Sequence, residues 1–393
     1  MSRDPSTRLI HHPYTPPGGF EAVAPGIHKA STVIFPNVAA MRARDWKHKS
    51  GYTYGLHGTP TTFTLEERIA TLEGGLQCVL APSGLAAIAL VDLALLKTGD
   101  EVLIPDNAYG PGKELARQEL AGWGITHRFY DAMDPQSLAD AIGANTKLVW
   151  VEAAGSVTME FPDLTALLRI ARERGVRVAL DNTWGAGLAF DPFAIGDDRL
   201  AVDISVQALT KYPSGGADVL MGSVTTRDEA LHLKLKLAHM RLGVGIGAND
   251  AELLLRSLPT LELRYGAQDA AARELARWWS ARAEVTQVLH PALPASPGHS
   301  HWKALCTRAA GLFSVVFDER FDTAAVDRFV DALRLFRIGY SWGGPVSLAV
   351  PYDVSTMRCQ TAIKGTLVRL SIGFEAVQDL IADCEQALGA LKV

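Results

Sequence analysis

From Thr59 onward the chain alternates short apolar runs with amphipathic stretches of helical spacing, and this rhythm restricts the fold more than any other feature. The runs Q-C-V-L-A, E-V-L-I, I-T-H-R-F-Y, K-L-V-W-V-E, V-R-V-A-L-D, V-D-I-S-V-Q and V-L-M-G-S-V read as strands. Helical patterns at 64–73, 84–96, 113–121, 135–142 and 164–174 separate several of them. Short apolar strands joined by helices predict an α/β fold, with a mostly parallel sheet covered by helices on both faces. In such a sheet ligands gather at the carboxyl ends of the strands, so chemistry is sought there first.

Two further regions flank that rhythm. Residues 1–58 are rich in Pro, Gly and aromatics without periodicity, and read as an N-terminal arm that packs on a neighbouring subunit or second domain. Beyond residue 257 the spacing loosens into a smaller C-terminal α+β domain, 258–393, beside the large domain, 59–257. There a long helical pattern at 259–282 leads to strand-like A-E-V-T-Q-V-L and a loop at 290–301. Strand-like G-L-F-S-V-V-F and T-L-V-R-L-S-I and helices at 323–334 and 376–391 complete it. A chain of 393 residues exceeds the usual single domain, which agrees with two.

Composition narrows the function classes. Lys+Arg 38 against Asp+Glu 43, without a block of like charge, argues against nucleic acid or an anionic membrane as partner. The longest apolar stretch, Leu85 to Leu96, holds only twelve residues and contains Asp92, too short and too polar to span a bilayer. The N-terminus lacks the apolar core of a secretory signal. Cys78, Cys306, Cys359 and Cys384 show neither metal-ligand nor disulfide spacing, and the His residues lack a metal-ligand context. These features predict a cytoplasmic protein with reduced thiols and no metal.

The segment S-V-Q-A-L-T-K-Y-P-S-G-G, 205–216, carries the chemistry. Lys211 stands in a polar, glycine-edged turn directly after an apolar strand, where a lysine can form a Schiff base with a carbonyl. Thr210 beside it can hold a phosphate. Thirty residues earlier, Asp181 ends V-R-V-A-L-D, and a carboxylate there can keep a pyridine nitrogen protonated. A Schiff-base lysine with an acidic partner for a ring nitrogen is what pyridoxal phosphate (PLP) requires. Each residue also has an ordinary reading, a solvated lysine and a turn-forming aspartate; their conjunction favours the cofactor.

Other residues fit the same site. Pro82-Ser83-Gly84-Leu85 precedes a helix whose first amides attract a phosphate. Tyr109 sits in a loop after a strand, suited to stacking on a flat ring. Tyr54, among glycines at the end of the arm, can contact a phosphate. Arg369 lies inside the apolar strand T-L-V-R-L-S-I, where its fork needs a partner such as a carboxylate or a structural salt bridge. Tyr340-Ser341-Trp342-Gly343-Gly344 offers aromatic walls on a flexible backbone, for a pocket or for a core. No G-x-G-x-x-G follows an early strand, which argues against a nicotinamide dehydrogenase.

With these residues assembled, the chain from about Tyr52 to its end resembles the Cys/Met-metabolism PLP-dependent enzyme family. The specific segments are L-E-G-G at 72–75, P-S-G at 82–84, G-S-V-T-M-E at 155–160, D-N-T-W at 181–184, T-K-Y at 210–212, H-P-A-L-P at 290–294, Y-S-W-G-G at 340–344 and G-T-L-V-R-L at 365–370. Trp342 in Y-S-W-G-G favours the cystathionine β-lyase branch. The resemblance implies the fold-type-I PLP-dependent transferase architecture and a homotetramer of two dimers that share active sites. It assigns the Schiff base to Lys211, the pyridinium partner to Asp181 and ring stacking to Tyr109, with Lys211 and Tyr109 handling protons. Phosphate contacts fall on Gly84, Leu85 and Thr210, with Tyr54 reaching in from a neighbouring subunit. The substrate α-carboxylate falls on Arg369, in a pocket lined by Tyr340, Ser341, Trp342 and Ser156, with His57 toward the distal end. The implied activity is carbon–sulfur β-elimination from cystathionine or a related S-substituted cysteine, in sulfur amino acid metabolism. A γ-lyase, γ-synthase or sulfhydrylase of the same family is the alternative, and a PLP-binding regulatory protein a further one.

Five positions depart from the family pattern. Leu56 stands where an arginine usually grips the phosphate across the dimer interface, and His57 where a second arginine is found. Ala208 replaces a common serine three residues before the lysine, and Pro345-Val346 follow Gly344 where Tyr-Glu is commoner.

Overall fold

The computed structural model describes residues 23–358 and 363–392. The arm expected at 1–58 therefore lies partly outside the described residues, as does Cys359. Seven strands form the first sheet: β1 (Gln77–Ala81), β2 (Glu101–Pro105), β3 (Thr126–Tyr130), β4 (Thr146–Glu152), β5 (Arg177–Asp181), β6 (Ile204–Ala208) and β7 (Gly222–Thr226). Their order across the sheet is β1-β7-β6-β5-β4-β2-β3, and only β7 runs against its neighbours. The inner strands are buried along nearly their whole length, as the unbroken apolar runs predict for a sheet covered on both faces. From β2 the chain steps outward to β3 and then returns to the other side of β2 as β4. The sheet's switch point thus lies between the carboxyl ends of β2 and β4, where a crevice opens.

Local sequence explains the helices that pack on this sheet. Thr59 and Thr62 cap each other at the start of helix Pro60–Glu73, with Pro60 at its first position, and Gly74 closes it at φ +73°. Ser83 caps helix Gly84–Leu95 by accepting from the Ala86 amide. Gly75 is required by packing, since a Cβ there would stand 2.3 Å from Thr225 Cγ2. Glu73, the acid of L-E-G-G, is buried beneath the sheet and accepts from Ser205 Oγ (2.5 Å) and Asn182 Nδ2 (3.3 Å). It ties β6 to the turn that follows β5.

The second sheet has five strands: β8 (Val285–Leu289), β9 (Leu312–Phe317), β10 (Arg337–Ile338), β11 (Leu348–Tyr352) and β12 (Leu367–Ser371), in the order β10-β11-β12-β9-β8. Trp279 from helix Leu261–Ser280 packs on Phe317 and Phe329 in its core. β12 is its middle strand and is buried throughout, which carries Arg369 into the interior.

Several expectations are corrected. The strand expected over V-L-M-G-S-V starts only at Gly222, because the Met221 amide and carbonyl are bound by Thr210 in the preceding turn. The loop expected at 290–301 gives way to a helix, His299–Leu305. Helices Glu229–Leu242 and Ala248–Ser257 and strands β10 and β11 have no counterpart in the sequence reading. In β11, Pro351 interrupts the strand signal.

Tyr212 joins the two sheets. It is almost fully buried, stacks edge-on with Tyr265 at 4.7 Å, and its hydroxyl accepts from the Gly311 amide at 2.7 Å, just before β9. Tyr212→Phe leaves that amide buried without an acceptor, at a cost of about 1–3 kcal/mol. The expected outcome is a lower midpoint of unfolding in urea with an unchanged slope; an unaltered midpoint would refute the role of this bond.

Candidate active site

Parallel pairing sets the acidic side of the crevice. Glu152 lies opposite Asp181 at the ends of β4 and β5, and Asp181 opposite Val206 on β6. Asp181 Oδ1 accepts from the Thr183 amide at 3.0 Å, while Thr183 Oγ1 accepts from the Ala208 amide at 2.8 Å. Burial raises the Asp181 carboxyl above its usual range, against the pull of Thr183 and Lys211. Burial and the neighbouring Asp181 push Glu152 well above the carboxylate range, and its Oε2 accepts from the Tyr109 amide at 2.8 Å. Asp92 lines the same small cavity as Tyr109, Glu152 and Asp181. Burial raises Asp92 to about 7, although Trp150 Nε1 donates to it.

Lys211 stands in a tight turn after β6, its amide donating to the Ala208 carbonyl at 3.1 Å. Its Nζ donates to Ser341 Oγ at 2.7 Å and sits 5.6 Å from the centre of the Trp342 ring. Burial, aided by the nearby Arg369 cation, lowers the Lys211 ammonium to about 8. The closeness of Ser341 depends on Gly343, at φ +79°: a Cβ there would meet the Tyr212 amide nitrogen at 2.8 Å and the Lys211 carbonyl carbon at 3.0 Å. Ser341 itself adopts φ +93°, a conformation that L-residues rarely hold.

Arg369 completes the cationic side. Its Nη2 donates to the Ser341 carbonyl at 3.3 Å, so Lys211 and Arg369 converge on one residue. The side chain is 8% exposed, and among the described residues no carboxylate lies within salt-bridge distance of it. Arg369 pairs with Val350 across the β11–β12 ladder, which sets Tyr352 diagonally on the same face. The guanidinium lies 5.3 Å from the centre of the Tyr352 ring. Tyr340 is 79% exposed, 6.5 Å from Tyr352 ring to ring, at the rim of this side.

The remaining candidates divide into two groups. Tyr109 is 41% exposed and near enough to Asp181 that the carboxylate raises its hydroxyl, after burial. Gly84 opens its helix beside Ala208, where a Cβ would stand 2.5 Å from the Ala208 Cβ. The Gly84 and Leu85 amides belong to the first helical turn, before the Ala87-to-Ser83 bond that starts the ladder. Thr210 Oγ1 is engaged with Met221, and the Ser156 amide donates to the Asn107 carbonyl in the Tyr109 loop. Tyr54 and His57 belong elsewhere. His57 bonds Thr53 through Nδ1 at 2.8 Å, stacks near Trp46, and lines a pocket with Leu56, Glu66, Lys236 and His239. Tyr54 is 46% exposed and edges onto His57.

Glu152, Asp92, Thr183 and Tyr352 are site residues to which the sequence reading gave no role. Glu152 was within reach, because it ends K-L-V-W-V-E as Asp181 ends V-R-V-A-L-D. Tyr352 was not, since its strand carries Pro351. Among the described residues no group of three or more His, Cys, Asp or Glu is placed to hold a metal, and no helix is long and apolar enough to cross a membrane.

The donor set fits PLP. A buried amine of lowered pKa, a buried strand-end carboxylate, a half-exposed tyrosine and the open first turn of a twelve-residue helix border one crevice. Comparison with known proteins agrees. The model of the Cys/Met metabolism PLP-dependent enzyme family matches residues 6–389. The chain is 38% identical over 390 residues to the cystathionine beta-lyase of Bordetella avium, covering 97% of this chain and 96% of that one. It is 35% identical to cystathionine beta-lyase MetC of Escherichia coli, over 93% of each. Among solved structures, cystathionine gamma synthase from Xanthomonas oryzae pv. oryzae superposes with a TM-score of 0.85 at 31% identity, over 94% of each chain. The chain belongs to the Cys/Met metabolism PLP-dependent enzymes, with their fold-type-I architecture and pyridoxal 5'-phosphate as cofactor.

Proposed function

We propose that the protein is a carbon–sulfur β-lyase that acts on cystathionine, or a related S-substituted cysteine, and releases the thiol, pyruvate and ammonia. The observation that carries this reading is Arg369, a buried guanidinium that shares Ser341 with Lys211 and has no carboxylate partner among the described residues. A buried cation of this kind is costly unless a ligand completes it, and an amino acid's α-carboxylate matches its fork. Trp342 beside Lys211 and the likeness to cystathionine beta-lyases support elimination at the β-carbon.

Pyridoxal phosphate supplies a carbonyl for the substrate amine and an electron sink for the bond broken at the α-carbon. Lys211 would hold it covalently, Asp181 would keep its ring nitrogen protonated, and Tyr109 would cover its face. The Gly84 and Leu85 amides and Thr210 would receive its phosphate. Within the chain's own residues, Arg369 fixes the carboxylate while Ser341, through its carbonyl, fixes Arg369. Lys211, poised near pH 8, takes the α-proton at Nζ when neutral and returns a proton to the leaving thiolate. Burial and nearby carboxylates keep the Tyr109 hydroxyl protonated, so it too can donate. Ser156, Tyr340 and Trp342 would line the substrate pocket.

A cytoplasmic homotetramer accompanies this reading, as do a large domain at 59–257 and a small one at 258–393. The position of Tyr54 and His57 away from Lys211 supports their action in a neighbouring subunit's site, where Leu56 offers no cation.

Three measurements test these assignments. Cystathionine, cystine and S-alkyl cysteines compared under steady-state conditions should all give pyruvate, with cystathionine preferred; 2-oxobutyrate or a new thioether as the main product would refute β-elimination. Lys211→Ala should lose both turnover and the visible absorbance of the bound cofactor, whereas Asp181→Asn should keep the cofactor and lose about 100-fold or more in turnover. Reconstitution of apoenzyme with PLP should accelerate with pH and level off above about 8, as Lys211 loses its proton. Because the Arg369 charge helps lower that pKa, Arg369→Leu should move the midpoint to higher pH; an unmoved midpoint would show that the two cations do not interact.

A further inference from the structure

The loop that presents Tyr109 is held by a buried ionic cluster contributed partly by the C-terminal sheet's own segment. After β11 a short turn, Val354–Thr356, leads to Met357 and Arg358. The Arg358 Nε and Nη2 donate to the two Asp106 carboxylate oxygens at 3.0 and 3.1 Å. Its Nη1 donates to both oxygens of Glu160 at 2.8 Å. Lys113 answers from the other side: its Nζ donates to the carbonyls of Asp106 and Met357, each at 2.8 Å. Arg358 thus pairs with two carboxylates while Lys113 joins the backbone on either side of them, and the Arg358 side chain is only 8% exposed.

Every member touches the segment Asp106–Tyr109. Asp106 begins it directly after β2, with its amide donating to the Tyr130 carbonyl. Glu160, held by Arg358, accepts from Asn107 Nδ2 at 2.9 Å and from Thr158 Oγ1 at 3.1 Å. Gly155 leaves room for Asn107, since a Cβ there would stand 2.3 Å from its Nδ2. The Tyr109 amide is then fixed to Glu152. The loop is held through the Asp106 carboxylate, the Asn107 side-chain amide nitrogen and the Tyr109 amide, and the guanidinium that organises the grip arrives from a part of the chain 252 residues distant.

We propose that Arg358 is a positioning residue that holds Tyr109 in place over the cofactor, by clasping Asp106 and Glu160 from the C-terminal sheet's side of the crevice. The inference rests on the stacking assignment of Tyr109 made above. The same clasp ties Tyr109 to the unit that carries Arg369, so the cover of the cofactor and the seat of the substrate carboxylate share one frame. A planar fork serves both carboxylates at once; a lysine retains the charge but cannot form two paired contacts.

The test is a double-mutant cycle on cofactor retention, with the rate of PLP release from holoenzyme measured for wild type, Arg358→Lys, Tyr109→Ala and the double variant. Tyr109→Ala alone should speed release; no change there would refute the stacking assignment itself. Given that acceleration, Arg358→Lys should speed release about tenfold in the wild-type background. It should add little in the Tyr109→Ala background, because the tyrosine it positions is already gone. Independent, multiplying effects, or no effect of Arg358→Lys, would overturn the proposal, since general loosening of the fold acts regardless of Tyr109. Should Arg358→Lys fold poorly, Arg358→Met combined with Asp106→Asn and Glu160→Gln removes the guanidinium together with its two carboxylates, and that triple variant takes the place of Arg358→Lys in the same cycle.

Discussion

The closeness of two backbones organises this protein: the Gly343 Cα lies against the Lys211–Tyr212 peptide with no room for a Cβ. That contact brings a turn of the seven-stranded sheet against a loop of the five-stranded one. Lys211 can then reach Ser341, and Arg369 can reach the carbonyl of the same residue. Neither cation is placed by its own element alone. Lys211 follows β6 and Arg369 rides in β12, and only the packed loop makes them neighbours. The unusual φ of Ser341 is the local cost of that junction, sustained by the bonds it receives from both sides.

The crevice consequently has an electrostatic polarity. Glu152, Asp181 and Asp92 collect on one side because β4 and β5 end there side by side and the helix Gly84–Leu95, which carries Asp92, packs over them. Lys211 and Arg369 stand opposite. A ring with a protonated nitrogen suits the acidic side, and an amino acid carboxylate suits the cationic side. Burial works against the charge on both sides, as the raised carboxyls and lowered Lys211 record, and a ligand of opposite charge offsets that cost.

The sheet and the Lys211–Asp181 pair were legible because each depends on local pattern: apolar runs, a strand-end acid, a lysine in a glycine-edged turn. Residues whose meaning comes from pairing across strands were not. Tyr352 acquires its role only from the register that sets it diagonal to Arg369, and Pro351 hides the strand that creates that register. Arg358 is a single basic residue in an unremarkable stretch, and only the folded chain puts Asp106 and Glu160 around it. Helix Glu229–Leu242 escaped for a different reason. Its buried face includes His232 and Lys236, which interrupt an apolar stripe.

The departures at Leu56 and Ala208 then differ in consequence. Ala208 sits against Gly84 at the opening of the helix, with its Cβ where the closest approach is already 2.5 Å from a hypothetical side chain. A hydroxyl lost there removes one donor from a turn that still presents its own amides, the main source of attraction for the phosphate proposed there. Leu56 removes a whole charge from a segment whose contacts lie apart from Lys211. The first change is local to one chain's helix terminus. The second bears only on whatever surface that segment meets, so the chemistry at Lys211 is the part of the site least dependent on it.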